Sequence, residues 1–346
     1  MTLPRQRIGY IDTLRGLIML MVVMTHVHRH SFGGTGFSFN SLISAELMPF
    51  FFFISGLLLG RRTENGVPGV KELAKYTGRK ILTLCLPAFV FMGIYAFLFR
   101  ISYSDILWDA YKYGFWFTLV LAAFYLFWAL LRLLFEKLCR VRKETAVWIY
   151  LCAGVLVFFG TSFIRSPFFP WKNVALNNLF CVYHLQHFLY FTVGLLAGNR
   201  SERFLGLLQN QYVLFAAVCL YASCITIRYF TGNLLLEALL NPVIALAFIV
   251  MLWSLFKKSE DCLLASRAGK TLSCIGKYTL DIYLLHTILL PFNLRMVGDF
   301  FDRYPAPVLE FALSFVVAGV IVAVCMLISK LIRTSDFAAK IFFGNA

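Results

Sequence analysis

Nearly unbroken apolar runs of about twenty residues recur from one end of this 346-residue chain to the other. That is the length a helix needs to cross the hydrocarbon core of a bilayer. A segment in lipid must satisfy its backbone groups internally, so it is either a helix or a strand of a closed barrel. The apolar-out, polar-in alternation of barrel strands is not seen. The chain therefore reads as an all-α, polytopic membrane protein. Its balance agrees: 60% of residues are hydrophobic and 14% charged, where a soluble domain carries about 25% charged residues.

The pattern predicts about ten transmembrane helices, over 8–30, 42–60, 80–99, 115–136, 146–164, 184–199, 210–230, 234–256, 277–294 and 307–330. Ten crossings put both termini on one side. The loops and tails on that side hold 24 of the 32 Lys and Arg, against eight on the other. The positive-inside rule then makes both termini cytoplasmic. This distribution also explains the net charge of +15 as a topology signal, not a nucleic-acid footprint. No loop is long enough to form a soluble domain, so residues 1–346 read as one membrane domain of a multi-pass protein of the cell inner (cytoplasmic) membrane. The basic N-terminus lacks a small-residue cleavage site, and no removable signal peptide is expected. Nine scattered cysteines without a CxxC pair read as small buried hydrophobes. Pro49, Pro87, Pro242 and Pro291 fall in or beside predicted helices and are expected to kink or end them.

Ionisable residues inside such runs are costly in lipid and point to function. The first run, "LRGLIMLMVVMTH", has Arg15 near its start and His26 at its end. Eleven residues at 100° each make three turns plus roughly 20°, so the two side chains share a face with a rise of ~16 Å. Two readings stand. Either Arg15 is a topology anchor and His26 bonds a neighbouring helix, or both line one channel, with an anion at Arg15 and proton chemistry at His26. His28 lies about 160° around from His26. The second run, "AELMPFFFFISGLLLGRR", carries Glu46 in its outer half, with Arg61 and Arg62 at its cytoplasmic end. Its Ser55-Gly56 pair permits close approach of a helix or a ligand. Glu46 is either an exposed cap or a partner that orients a histidine. The ninth run, "IGKYTLDIYLLH", repeats the pattern with Lys277 at the mouth and His286 at depth, with Asp281 and Tyr283 between. Alone, His286 reads as a core histidine; the threefold repetition gives it weight. His26 and His30 are spaced to chelate a metal, but no third ligand stands at the usual spacing, and no metal is expected.

These motifs resemble the acyltransferase-3 family of polytopic membrane acyltransferases. That family carries a "D-x-x-R-G" start with ten residues between its arginine and a following histidine, matched by Asp12, Arg15, Gly16 and His26. Its "FF-x-x-SG" helix with a following arginine is matched by Phe52, Phe53, Ser55, Gly56 and Arg61. A "WF" pair corresponds to Trp116 and Phe117. The late "G-[KR]-x-[ST]-x-x-[IL]-Y-x-x-H" motif is met by Gly276, Lys277, Thr279, Tyr283 and His286. The "MPFFFFISG" variant looks closest to sugar O-acetylases of the fucose 4-O-acetylase type, with Leu47 where those often have histidine.

The resemblance implies an O-acyltransferase that moves an acetyl group from cytoplasmic acetyl-CoA to a hydroxyl of a carbohydrate or glycolipid of the cell envelope. In that reading His26 is the general base, or an acyl-histidine relay, with Glu46 and His286 beside it. Arg15, Arg61, Arg62, Lys277 and Ser55 would receive the donor. The partners are then acyl-CoA, the acceptor and membrane lipid, with no nucleic acid; homo-oligomerisation is left open. His184 and His187 are placed either at the acceptor or at the membrane interface. The rival reading is a transporter or flippase for an anionic or lipid-linked substrate, although the repeats and paired broken helices of transporters are not seen.

Overall fold

The computed structural model describes residues 9–34, 38–63, 69–165, 174–231 and 234–344. Among these residues the regular structure is helical and no strand occurs. The main helices are α1 (Gly9–His26), α2 (Phe39–Thr63), α3 (Val70–Phe99), α4 (Trp116–Arg132), α5 (Lys143–Arg165), α6 (Phe188–Asn199), α7 (Gln211–Thr231), α8 (Leu234–Lys258), α9 (Arg267–Lys277), α10 (Thr279–Leu289) and α11 (Pro307–Ile332). Eight helices among the described residues are long and apolar enough to cross a membrane. The chain is an all-α polytopic membrane protein.

Two of the ten predicted segments are short, for local reasons. The run predicted over 184–199 divides into a tight 3₁₀ stretch, Val182–His187, and the twelve residues of α6. The run predicted over 277–294 keeps only the eleven residues of α10, a rise of about 16 Å. Tyr278 leaves the helical region and separates α10 from α9. Leu290 is extended (φ −64°, ψ 127°), as a residue before proline tends to be, and Pro291 prevents continuation. The other three prolines do not end their helices: Pro49, Pro87 and Pro242 lie inside α2, α3 and α8.

The described chain forms two compact units. The first gathers the chain up to Leu47, Gly206–Ile227 and Val243–Leu331; the second gathers Met48–Leu205, Arg228–Pro242 and the chain from Ile332. In the first unit α1 is the buried centre, with Leu14, Ile18 and Val23 fully enclosed. α1 crosses α9 at two glycines. A Cβ on Gly16 would overlap the Leu272 carbonyl, and one on Gly276 would overlap the Asp12 carbonyl. The helix backbones touch there, as small residues allow in membrane helices.

In the second unit the same device joins α2 to α6. Gly56 and Gly60 face the carbonyls of Phe191 and Leu195, while Gly194 and Gly198 face those of Phe53 and Leu57. Both helices thus carry a small-xxx-small repeat. Around this crossing Phe52 packs on Phe117 and Phe124, with ring centroids 4.8 and 4.9 Å away. Lys112 is buried on the loop before α4, and its Nζ donates to the carbonyls of Leu107 and Asn178. The lysine thus ties that loop to the segment before α6.

Candidate active site

The first unit brings together the predicted groups of the first and ninth runs. The Gly16–Gly276 crossing delivers the start of α10 to α1, and Arg15 Nη2 donates to Thr279 Oγ1 at 2.6 Å. Asp12 Oδ1 stands 3.7 Å from the same guanidinium, and the Arg15 side chain remains 29% exposed. Lys277, one residue before the break at Tyr278, is exposed.

Two helical turns further along α10, the second link forms. The rings of His26 and His286 meet edge to face with centroids 4.9 Å apart. His286 is fully buried, and its Nδ1 faces the carbonyls of Ile282 at 3.1 Å and Tyr283 at 2.8 Å. A carbonyl only accepts, so the proton is assigned to Nδ1 and the lone pair to Nε2. That Nε2 is buried and has no hydrogen-bond partner among the described residues; the same holds for His26 Nδ1 and Thr287 Oγ1. Buried polar atoms in native proteins are almost always paired, so a cluster of exceptions marks a place where a further group belongs.

Past His26 the helix widens into a π-turn, Val27–Ser31. Such turns recur at functional sites. It keeps the exposed His30 ring 5.4 Å from that of His26. His28 points elsewhere, as its angular offset predicts. It is buried and its Nδ1 meets the carboxylate of Glu310, in the first turn of α11.

The remaining predicted residues are placed as follows. Glu46 is 1% exposed, within the α2 portion of the first unit, so the exposed-cap alternative does not hold. Ser55, in the second unit, donates to the Phe51 carbonyl of its own helix at 2.9 Å, and its neighbour Gly56 admits α6. Arg61 is half-buried; Arg62 is exposed and lies over the Tyr76 ring, 4.6 Å from its centroid. Trp116 stacks on His184 at 4.0 Å and on His187 at 5.7 Å, and Phe52 covers the other histidine contact at 5.2 Å from His187. His184 and His187 therefore sit in an aromatic stack. Among the described residues no group of three or more His, Cys, Asp or Glu is placed to hold a metal ion.

Sequence reasoning missed Glu310, Ser329 and Thr287. Glu310 opens the most apolar helix of the chain, and its charge looks like an ordinary first-turn carboxylate. The signal available was its register: Glu310, Ser314 and Ala318 recur every four residues on one stripe, and all are buried.

The model of a family described as an acyltransferase domain matches residues 8–330. No curated protein and no solved structure matches the chain. The match is to the family as a whole and lends no support to the narrower likeness to fucose 4-O-acetylases. Its span takes in every motif from Asp12 to His286, and the chain belongs to the acyltransferase-3 family of membrane acyltransferases.

Proposed function

We propose that the protein transfers an acyl group, acetyl in the first instance, from acyl-CoA to a hydroxyl of a carbohydrate or glycolipid, with His26 as general base. The observation that carries this reading is the His26–His286 pair, a half-buried and a fully buried ring in contact, each holding a buried, unpartnered nitrogen. In the reaction His26 Nδ1 takes the proton of the acceptor hydroxyl as its oxygen attacks the thioester carbonyl. The carbon–sulfur bond then breaks, and the leaving thiolate takes that proton back from the imidazolium. The ester and the free CoA thiol leave a neutral histidine for the next cycle.

His286 contributes a lone pair of fixed direction. Its Nδ1–H is held by two carbonyls, so Nε2 is available to accept a proton or a hydrogen bond in the space beside His26. Glu46 is proposed to balance charge in the same unit. Arg15 is proposed to hold a phosphate of the donor: Thr279 fixes the direction of its guanidinium, and the side chain reaches solvent. Lys277 adds positive charge nearby. Arg61, half-buried, and Arg62, exposed, are proposed for the donor on their charge alone, and Ser55 bonds its own helix.

Native mass spectrometry of the purified protein in nanodiscs, with coenzyme A added, tests donor binding. Release of CoA thiol from acetyl-CoA then tests turnover. Retained CoA with thiol release supports the reading. Retained CoA without release, accompanied by its movement across sealed vesicles, would favour a transporter.

A further inference from the structure

α11 carries none of the residues assigned to chemistry, yet it makes three buried polar bonds on one stripe of its surface. Glu310 meets His28 of the π-turn, Ser314 Oγ accepts from Asn40 Nδ2 at 3.3 Å, and Ser329 Oγ donates to Asp281 Oδ2 at 2.5 Å. Glu310 and Ser329 are nineteen residues apart, a rise of about 28 Å, so the stripe runs most of the depth of a bilayer. Its two ends hold the two segments that carry the histidine pair. His28 stands two residues after His26, and Asp281 stands five residues before His286 on α10.

We infer that α11 is the positioning helix of the site and that Glu310 is its principal positioning residue, setting the π-turn that aims His26 at His286. The inference rests on the histidine pair being the reaction centre. In a regular α-helix residues 26, 28 and 30 would share one fixed geometry with the rest of α1. The π-turn adds a residue to the hydrogen-bonded ring and so needs something to hold it. His28 is 5% exposed and Glu310 4% exposed, so no water competes for their contact. Away from water, removing one partner loses the contact that ties the π-turn to α11. Without that tie the turn would be able to shift, and the His26 ring would move with it. A displacement of about 1 Å at a reacting group can cost about 10²-fold in rate.

The test uses the full-length protein in nanodiscs with acetyl-CoA and an acceptor-bearing membrane fraction. Glu310→Ala should lower kcat by about 10–100-fold while the KM for acetyl-CoA stays at the wild-type value. Glu310→Gln keeps a carbonyl acceptor for His28 and should restore most of the rate. If the His28–Glu310 contact carries the effect, the two substitutions together should cost less than the sum of the single losses, because that shared contact is absent in all three variants. Independently of turnover, the rate at which diethyl pyrocarbonate modifies His26, mapped by mass spectrometry, should differ between Glu310→Ala and wild type. If Glu310→Ala does not fold, His28→Asn carries the same comparison. Wild-type kcat in folded Glu310→Ala, or unchanged His26 modification, overturns the inference. Wild-type protein that releases no CoA thiol defeats the functional reading instead, and the His26 modification rate still decides the role of Glu310.

Discussion

At the scale of single residues, the proposed chemistry rests on a few buried polar atoms. The sequence marked Arg15, His26 and His286 because ionisable groups in apolar runs stand out and because helix geometry can be counted. It could not show that His26 and His286 touch, since that depends on how two helices cross. Nor could it show the tautomer of His286, which two carbonyls set. Glu310 was hidden by position: a carboxylate in a first turn is ordinary until its burial is seen. Two outcomes follow at this scale. Arg15→Ala should weaken CoA binding by about 1.5–3 kcal/mol if a charged hydrogen bond to phosphate is lost, read by titration in nanodiscs. Unchanged affinity in folded protein would reduce Arg15 to a topology anchor. Lys112→Met should lower thermal stability by about 1–3 kcal/mol, because two part-buried carbonyls lose their donor.

At the scale of helices, the glycines of the motifs have a structural reason. Gly16 and Gly276 let α1 and α9 touch, and this crossing brings Thr279 to Arg15. Gly56 does the same for α2 and α6. The sequence allowed either a helix or a ligand at Ser55-Gly56, and at Gly56 a helix makes the close approach. Gly16→Ala or Gly276→Ala should therefore cost about 1–3 kcal/mol by overpacking. Turnover should fall with it, since the Arg15–Thr279 bond depends on the crossing. Melting in detergent and CoA thiol release check both; a variant with native values would show that the crossing relaxes freely. The same scale explains where helix limits were misjudged. Hydropathy averages over a window, so it does not register a single residue such as Leu290 turning extended before Pro291, and the predicted segment ran on past the end of α10.

At the scale of the whole molecule, the apolar runs made the all-α membrane class legible, and the family match covers residues 8–330. The division into two compact units was not legible, because it draws on segments distant in sequence. Orientation rests on the 24-to-8 distribution of basic residues. In a background without native cysteines, Gly34→Cys should react with an impermeant thiol reagent from outside. Ser259→Cys should react only after permeabilisation, and the reverse pattern would invert the topology. The central claim is that acyl transfer passes through His26. The most direct measurement is the rate of CoA thiol release from acetyl-CoA by wild type and His26→Gln, compared at equal CoA binding. Glutamine keeps a polar group of similar reach but cannot cycle a proton. The expected result is retained CoA with turnover lowered at least ~10²-fold, the contribution of a general base. Near-normal turnover in His26→Gln, with turnover abolished in His286→Ala, would contradict the account and move the base to α10.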